Sequence, residues 1–130
     1  MREGDPRGLS IPDLQAQRTQ IIIAPRYEAG LLGIEPGSDL VVLYYCDRYH
    51  ARADEDVLQV HPRRNRDRPL RGVFATRSPA RPNRIAVTAA RVLAVAGNVL
   101  EVVGLDALDG SPVLDIKSYA PTFDQPVPRR

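Results

Sequence analysis

Two polar clusters set between apolar segments hold the residues of this chain best suited to binding chemistry. The first is Thr76-Arg77-Ser78-Pro79-Ala80-Arg81-Pro82-Asn83, and the second is Asp106-Ala107-Leu108-Asp109-Gly110-Ser111-Pro112. A turn needs only one or two Gly, Pro, Asn or Asp residues, so turns that also carry paired arginines and paired aspartates predict a binding surface. Arg77, Arg81 and Asn83 sit in a proline-stiffened loop whose donors have little entropy left to lose on binding, and two guanidinium forks suit a carboxylate or a phosphate. The competing reading of Arg77 and Arg81 is structural, with each pairing to a nearby aspartate to hold loops together. Asp106 and Asp109 can accept hydrogen bonds from ribose hydroxyls or an amine, or bind a hard cation. Ser111 and Pro112 continue no calcium-loop spacing, so no metal site is expected, and Asp109-Gly110 is also a plain turn dipeptide.

A third group, Asp115, Lys117 and Tyr119, alternates along one segment and therefore shares one face of a strand. Inside a cleft, a carboxylate and a phenol flanking one lysine would shift each other's proton affinity and serve as base or acid. The competing reading is an exposed strand face with one ion pair. His50 and His61 lie in or beside charged loops and are expected at the surface.

The elements that must position these residues are mostly strands. Residues 40–46, LVVLYYC, form a short, nearly continuous apolar run rich in Val and Tyr, which predicts a central strand buried on both faces. Residues 85–95 and 99–105 are alternating segments separated by a Gly-Asn turn, the pattern of a long β-hairpin. Residues 20–24 and 72–76 are predicted as short strands, 57–61 as an edge strand and 113–119 as a strand, with one helical turn over 27–32. Residues 1–17 show no periodicity and are predicted to form an extended arm. The fold expected is mainly β, a small antiparallel barrel or sandwich with few short helices.

Composition narrows the function classes. At 130 residues with 43% hydrophobic and 26% charged residues, the chain is expected to be one globular domain spanning 1–130, and 12 prolines with 9 glycines fit many turns. Aromatic residues make up only 5%, which disfavours a platform of many stacking rings, although Tyr44, Tyr45, Tyr49 and Phe74 supply a few. The single Cys46 cannot form an intrachain disulfide and is expected as a buried strand residue. There is no Rossmann glycine fingerprint, Walker loop, Gly-x-Ser-x-Gly elbow or metalloprotease helix motif. No apolar run reaches bilayer length and the opening residues lack the apolar core of a signal peptide, so a cytoplasmic protein with no membrane partner is expected. The segment 62–69, PRRNRDRP, reads either as a solvated loop or as a phosphate-contacting stripe.

The segments FATRSPARPN and GLDALDGSPVLDIKSY, with IIIAPRYEAGLLGIEPGSDLVVLYY upstream, resemble the TsaA/TrmO family over roughly residues 5 to 121. The resemblance implies an S-adenosyl-L-methionine-dependent methyltransferase built on a small β-barrel unrelated to the Rossmann methyltransferases. It further implies a homodimer with the methyl donor near the subunit interface and tRNA as substrate, through N6-methylation of threonylcarbamoyladenosine, with no DNA partner. By motif position it makes Arg77 a donor-contacting arginine, Asp47-Arg48 a contacting pair, Val87 a hairpin contact and Val103-Gly104-Leu105-Asp106 the segment that cradles the donor, while 6–9 resembles an early loop completing the pocket. The exocyclic amine is a poor nucleophile, so a base is expected, with Asp115 and Tyr119 as candidates.

Three departures from the family pattern stand out. The family's opening strand and Ser-Pro turn precede the point where this chain begins, which implies a barrel lacking its first strand. The usual Pro-Asn-Pro-Ile-Gly reads Pro82-Asn83-Arg84-Ile85-Ala86, and the usual His-Gln pair is Asp47-Arg48. A methyltransferase acting on a small molecule, and a non-catalytic barrel that binds the donor or RNA, remain the alternatives.

Overall fold

A nearly continuous apolar run forms strand Asp39–Tyr45, in which every second residue, Leu40, Val42 and Tyr44, is buried. In a computed structural model describing residues 11–46, 57–62 and 65–129, this strand is β2. It is preceded by α1 (Ile11–Ala16) and β1 (Arg18–Ile22), and followed by β3 (Gln59–Val60), β4 (Arg71–Gly72), β5 (Ile85–Ala96), β6 (Val99–Val103), β7 (Val113–Ser118) and α2 (Pro121–Asp124). Short 3-10 helices cover Pro25–Leu31 and Val73–Ala75.

Five strands make one antiparallel sheet in the order β1-β6-β5-β2-β7. The expected hairpin is its centre, and β5 and β6 turn through Gly97, whose φ of 59° suits a residue without a Cβ. β5 is longer than β6, and their register shifts between Val92 and Ala94, a bulge that adds twist. Ile21, Leu40, Val42, Val92, Leu100 and Val102 close one face of the sheet, with Leu31 and Leu105 folding over it.

Four expectations need correction. Among the described residues the sheet is not a closed barrel, because β1 and β7 each bond to a strand on one side only and closure requires the two edges to meet. Val41 and Leu43 are only half-buried, since no second layer among the described residues covers their face, so β2 has one core face rather than two there. Residues 11–16 of the expected arm form a helix. The segment 72–76 leaves the strand at Gly72 because the Val73 carbonyl accepts from both Thr76 N (3.1 Å) and Thr76 Oγ1 (2.9 Å), closing a turn in place of a ladder. Cys46, expected as a buried strand residue, follows the end of β2 and is half-buried.

Leu100 is fully enclosed, whereas Leu32 is 95% exposed. Leu100→Ala is therefore expected to lower unfolding free energy by about 2–5 kcal/mol. Leu32→Ala should leave the urea midpoint unchanged, and equal effects from the two variants would contradict the core assignment.

Candidate functional site

The arginine-proline loop is braced by its own side chains. Thr76 Oγ1 accepts from Ser78 N (3.2 Å), and Ser78 Oγ accepts from Ala80 N (3.2 Å). Arg81 donates through one nitrogen to the carbonyls of Thr76 and Ser78, both at 3.2 Å. Val73 and Ala80, buried at the two ends, anchor the loop to the body of the protein. Arg81 thus braces the loop from inside through one nitrogen of its guanidinium. Asn83 is exposed at the loop's far end.

Arg77 does something different. Its guanidinium leaves the loop and donates to the carbonyl of Val87 on β5 (3.2 Å). Main-chain bonding explains why that carbonyl is available. Cys46 N donates to Arg84 O and Val92 N donates to Ser38 O, each at 2.9 Å, which fixes the pairs bonded between β2 and β5. Antiparallel alternation then aims the N–H and C=O groups of Ile85, Val87 and Ala89 away from β2. On that far side β6 pairs with β5 only from Arg91 to Ala96, so the β5 edge from 85 to 89 is left by its neighbour.

The chain leaves β6 at Gly104. Its φ is 91°, and a Cβ there would stand 3.4 Å from the Ala89 carbonyl, so both the turn and the close approach favour glycine. Leu105 is buried, and the Asp106 carbonyl accepts a hydrogen bond from the buried Tyr44 hydroxyl, which also bonds Thr88 Oγ1 (3.1 Å). Arg77, Val87 and the segment 103–106 therefore converge on one edge of β5. Tyr44 and Thr88, which hold this geometry, were missed as site residues; the signal was a phenol in an otherwise apolar buried strand, which needs a hydrogen-bond partner.

Asp115, Lys117 and Tyr119 share a strand face, but it is an open one. Asp115 and Lys117 form an ion pair of 2.8 Å with side chains 49% and 64% exposed, and Tyr119 is 38% exposed. Their exposure fits the competing reading of an open strand face with one ion pair. Asp115 opposes Leu43, which opposes Val87, so the carboxylate is two strands, about 10 Å, from the Arg77 contact. Hydrogen bonding to the Lys117 ammonium, with a lesser contribution from Ile116 N, holds the Asp115 carboxyl below its usual range, and the same pairing raises Lys117.

Asp109 is exposed in its turn, and Ser111 N donates to Leu108 O (3.0 Å), the geometry of a plain tight turn. No group of three or more His, Cys, Asp or Glu is arranged to hold a metal among the described residues. Asp47, Arg48, Arg63, Arg64, His50 and residues 6–9 lie outside the described residues. His61 Nδ1 lies 2.9 Å from the Arg68 carbonyl and ties the basic segment to the β3–β4 ribbon.

Charge is strongly segregated along the chain. Residues 57–100 contain nine arginines and one aspartate, a formal excess of eight positive charges in a chain of net +2. This run includes the arginine-proline loop and the exposed Arg66, Arg68 and Arg71.

Comparison with known proteins adds an independent line. The model of the tRNA-methyltransferase O N-terminal domain family matches residues 3–125. An S-adenosyl-L-methionine-binding protein of Archaeoglobus fulgidus is 45% identical over 106 residues, covering 82% of this chain and 72% of its own length. A probable S-adenosyl-L-methionine-binding protein of the same organism is 48% identical over 108 residues, covering 83% of this chain but 28% of itself. The tRNA (adenine(37)-N6)-methyltransferase of Mus musculus is 38% identical over 104 residues, 76% of this chain and 22% of that protein. TrmO from Pseudomonas aeruginosa superposes with a TM-score of 0.65 at 30% identity, covering 90% of this chain and 48% of that one. The chain thus spans about half of that TrmO structure.

Two measurements check the geometry. Tyr44→Phe is expected to cost about 1–2 kcal/mol by leaving the Asp106 carbonyl and Thr88 hydroxyl without their buried partner, and to speed amide exchange over 105–107. Unchanged exchange would contradict the tether. In a carboxyl-detected NMR titration, Asp115 should titrate below an ordinary aspartate, and Lys117→Met should raise its midpoint. Because the folded value is depressed, the stability it contributes is present above the unfolded value and lost as pH falls through the folded one.

Proposed function

Because the chain belongs to the tRNA-methyltransferase O N-terminal domain family, we propose that it binds S-adenosyl-L-methionine at the β5 edge and methylates N6 of threonylcarbamoyladenosine in tRNA. The observation that carries this reading is the convergence of two separate loops on that edge, with the Arg77 guanidinium on the Val87 carbonyl and Gly104 against the Ala89 carbonyl. The local chemistry fits the donor. Arg77 spends one of its five donors on Val87, leaving others for a carboxylate. Main-chain groups along 85–89 and 104–106 suit an adenine and a ribose, and a carboxylate such as that of Asp106 is the group type that accepts from a ribose hydroxyl.

When bound, the donor supplies an electrophilic methyl group on a sulfonium, which passes to the acceptor nitrogen as the carbon–sulfur bond breaks and the nitrogen gives up its proton. The protein's part is alignment and exclusion of water. Arg77 joins the loop to the sheet, Gly104 lets two backbones approach, and Tyr44 holds the 104–106 segment in register. Asp115 is a weakened base through its pairing with Lys117, so in this reading the proton leaves to solvent, and Asp115, Lys117 and Tyr119 form a contact face.

The excess of arginine over residues 57–100 favours a polyanionic acceptor over a small neutral molecule. The acceptor named for the mouse relative supports the same choice. A homodimer belongs to this reading, supported by Tyr45 and Ile85, which oppose each other and are exposed together at one end of the outer sheet face. A cytoplasmic location follows from the substrate, and no helix among the described residues is long and apolar enough to cross a membrane.

Arg77→Ala is expected to weaken donor affinity at least tenfold, about 1.4 kcal/mol, by titration calorimetry. Methyl-labelled donor should label tRNA that carries threonylcarbamoyladenosine and not tRNA lacking it. Undiminished affinity in Arg77→Ala would remove the arginine from the site, and donor binding without label in any tRNA would favour a non-catalytic module.

A further inference from the structure

An exposed aromatic ring belongs to the same loop as Arg77. Phe74 is 79% exposed, although it lies between the buried Val73 and the half-buried Thr76, in a 3-10 turn closed by two hydrogen bonds to the Val73 carbonyl. The Arg81 guanidinium lies over the ring, 6.0 Å from its centroid. Arg81 is itself fixed by the carbonyls of Thr76 and Ser78. The ring is thus held by a rigid turn and backed by a cation on one side, and Arg77 of the same loop reaches the β5 edge.

We propose that Phe74 is the stacking platform on which the acceptor base lies while its amine is presented at the β5 edge. A large ring exposed to water costs solvation free energy, and a turn that fixes it there while Val73 is buried next door holds it ready for a partner. A base has a flat π-face of matching size, and stacking on an aromatic side chain tolerates any purine modification that leaves the ring plane free. The cation behind the ring favours an electron-rich partner and lies within the arginine-rich run that meets phosphates. Two residues separate Phe74 from Arg77, so ring and guanidinium belong to one braced unit. Phe74 is a positioning residue, since it takes no part in bond making.

This inference rests on the tRNA reading above, and its test separates the two. The probe is an anticodon stem-loop RNA carrying 2-aminopurine at the acceptor position, whose emission falls on stacking. The wild-type chain is expected to quench it, Phe74→Ala to bind at least tenfold more weakly without quenching, and Phe74→Trp to restore both. Phe74→Leu should resemble Phe74→Ala, because an apolar side chain without a π-face does not stack. Donor affinity by calorimetry should stay within about twofold in all three variants, since Phe74 is assigned to the acceptor. Donor binding by the wild type with RNA binding indifferent to Phe74→Ala would overturn this inference alone. Failure of the wild type to bind donor would count against the methyltransferase reading instead. Wild-type binding of donor but of no RNA, or a Phe74→Ala variant that loses a dimer in light scattering, would overturn the platform as well.

Discussion

A phenol inside an apolar core is the constraint on which the site depends. Burying the Tyr44 hydroxyl without partners would cost more than the ring's burial returns, so its hydrogen bonds to Thr88 Oγ1 and the Asp106 carbonyl are obligatory. Those two partners lie on different elements, one on β5 and one on the segment leaving β6. The segment therefore cannot continue along the β5 edge as a strand. Gly104 turns it with a left-handed backbone, and the edge from 85 to 89 keeps main-chain groups for something other than a sixth strand. The open edge is in this sense a by-product of satisfying one buried oxygen.

The same logic explains why two arginines of one loop play unlike roles. Proline at 79 and 82 removes backbone donors, which leaves the carbonyls of Thr76 and Ser78 in need of partners from elsewhere. Arg81 supplies them through one nitrogen, whereas Arg77 reaches another element. A loop braced by its own side chains gives little conformational entropy away when it binds. The brace and the reach are complementary parts of one device.

Much of this was legible in the sequence, and what was not has definite causes. The hairpin over 85–105, the β2 strand and the strand over 113–118 follow from alternation and turn residues, signals carried within a few positions. Barrel closure was not legible, because it depends on whether distant edges meet. The turn at Val73–Ala75 was read as strand since Val, Phe and Thr favour one, and only the Thr76 hydroxyl decided otherwise. For the site, motif spacing placed Arg77, Val87, Gly104 and Asp106 in one neighbourhood, but exposure of the Asp115 face could not be read from alternation. Period-two patterning says which residues share a face and is silent on what covers it. The segregation of nine arginines into one third of the chain was in plain view and went unused.

The departures from the resembled family act where the backbone, rather than the side chain, does the positioning. Arg84 stands where the family keeps proline, yet the group that matters there is its carbonyl, which accepts from Cys46 N. Ala86 stands where the family keeps glycine, opposite Tyr44 in register, and its methyl packs half-buried against the core. Neither substitution disturbs the alternation that turns Val87 O outward to Arg77. What changes is the charge beside the edge, since Arg84 adds a guanidinium to a run that already contains Arg77 and Arg81. In the proposed reading, attraction to phosphates changes while the backbone of the edge does not. A site whose geometry is set by main-chain bonding can adjust its affinity for a polyanion through its side chains, and the two properties vary separately.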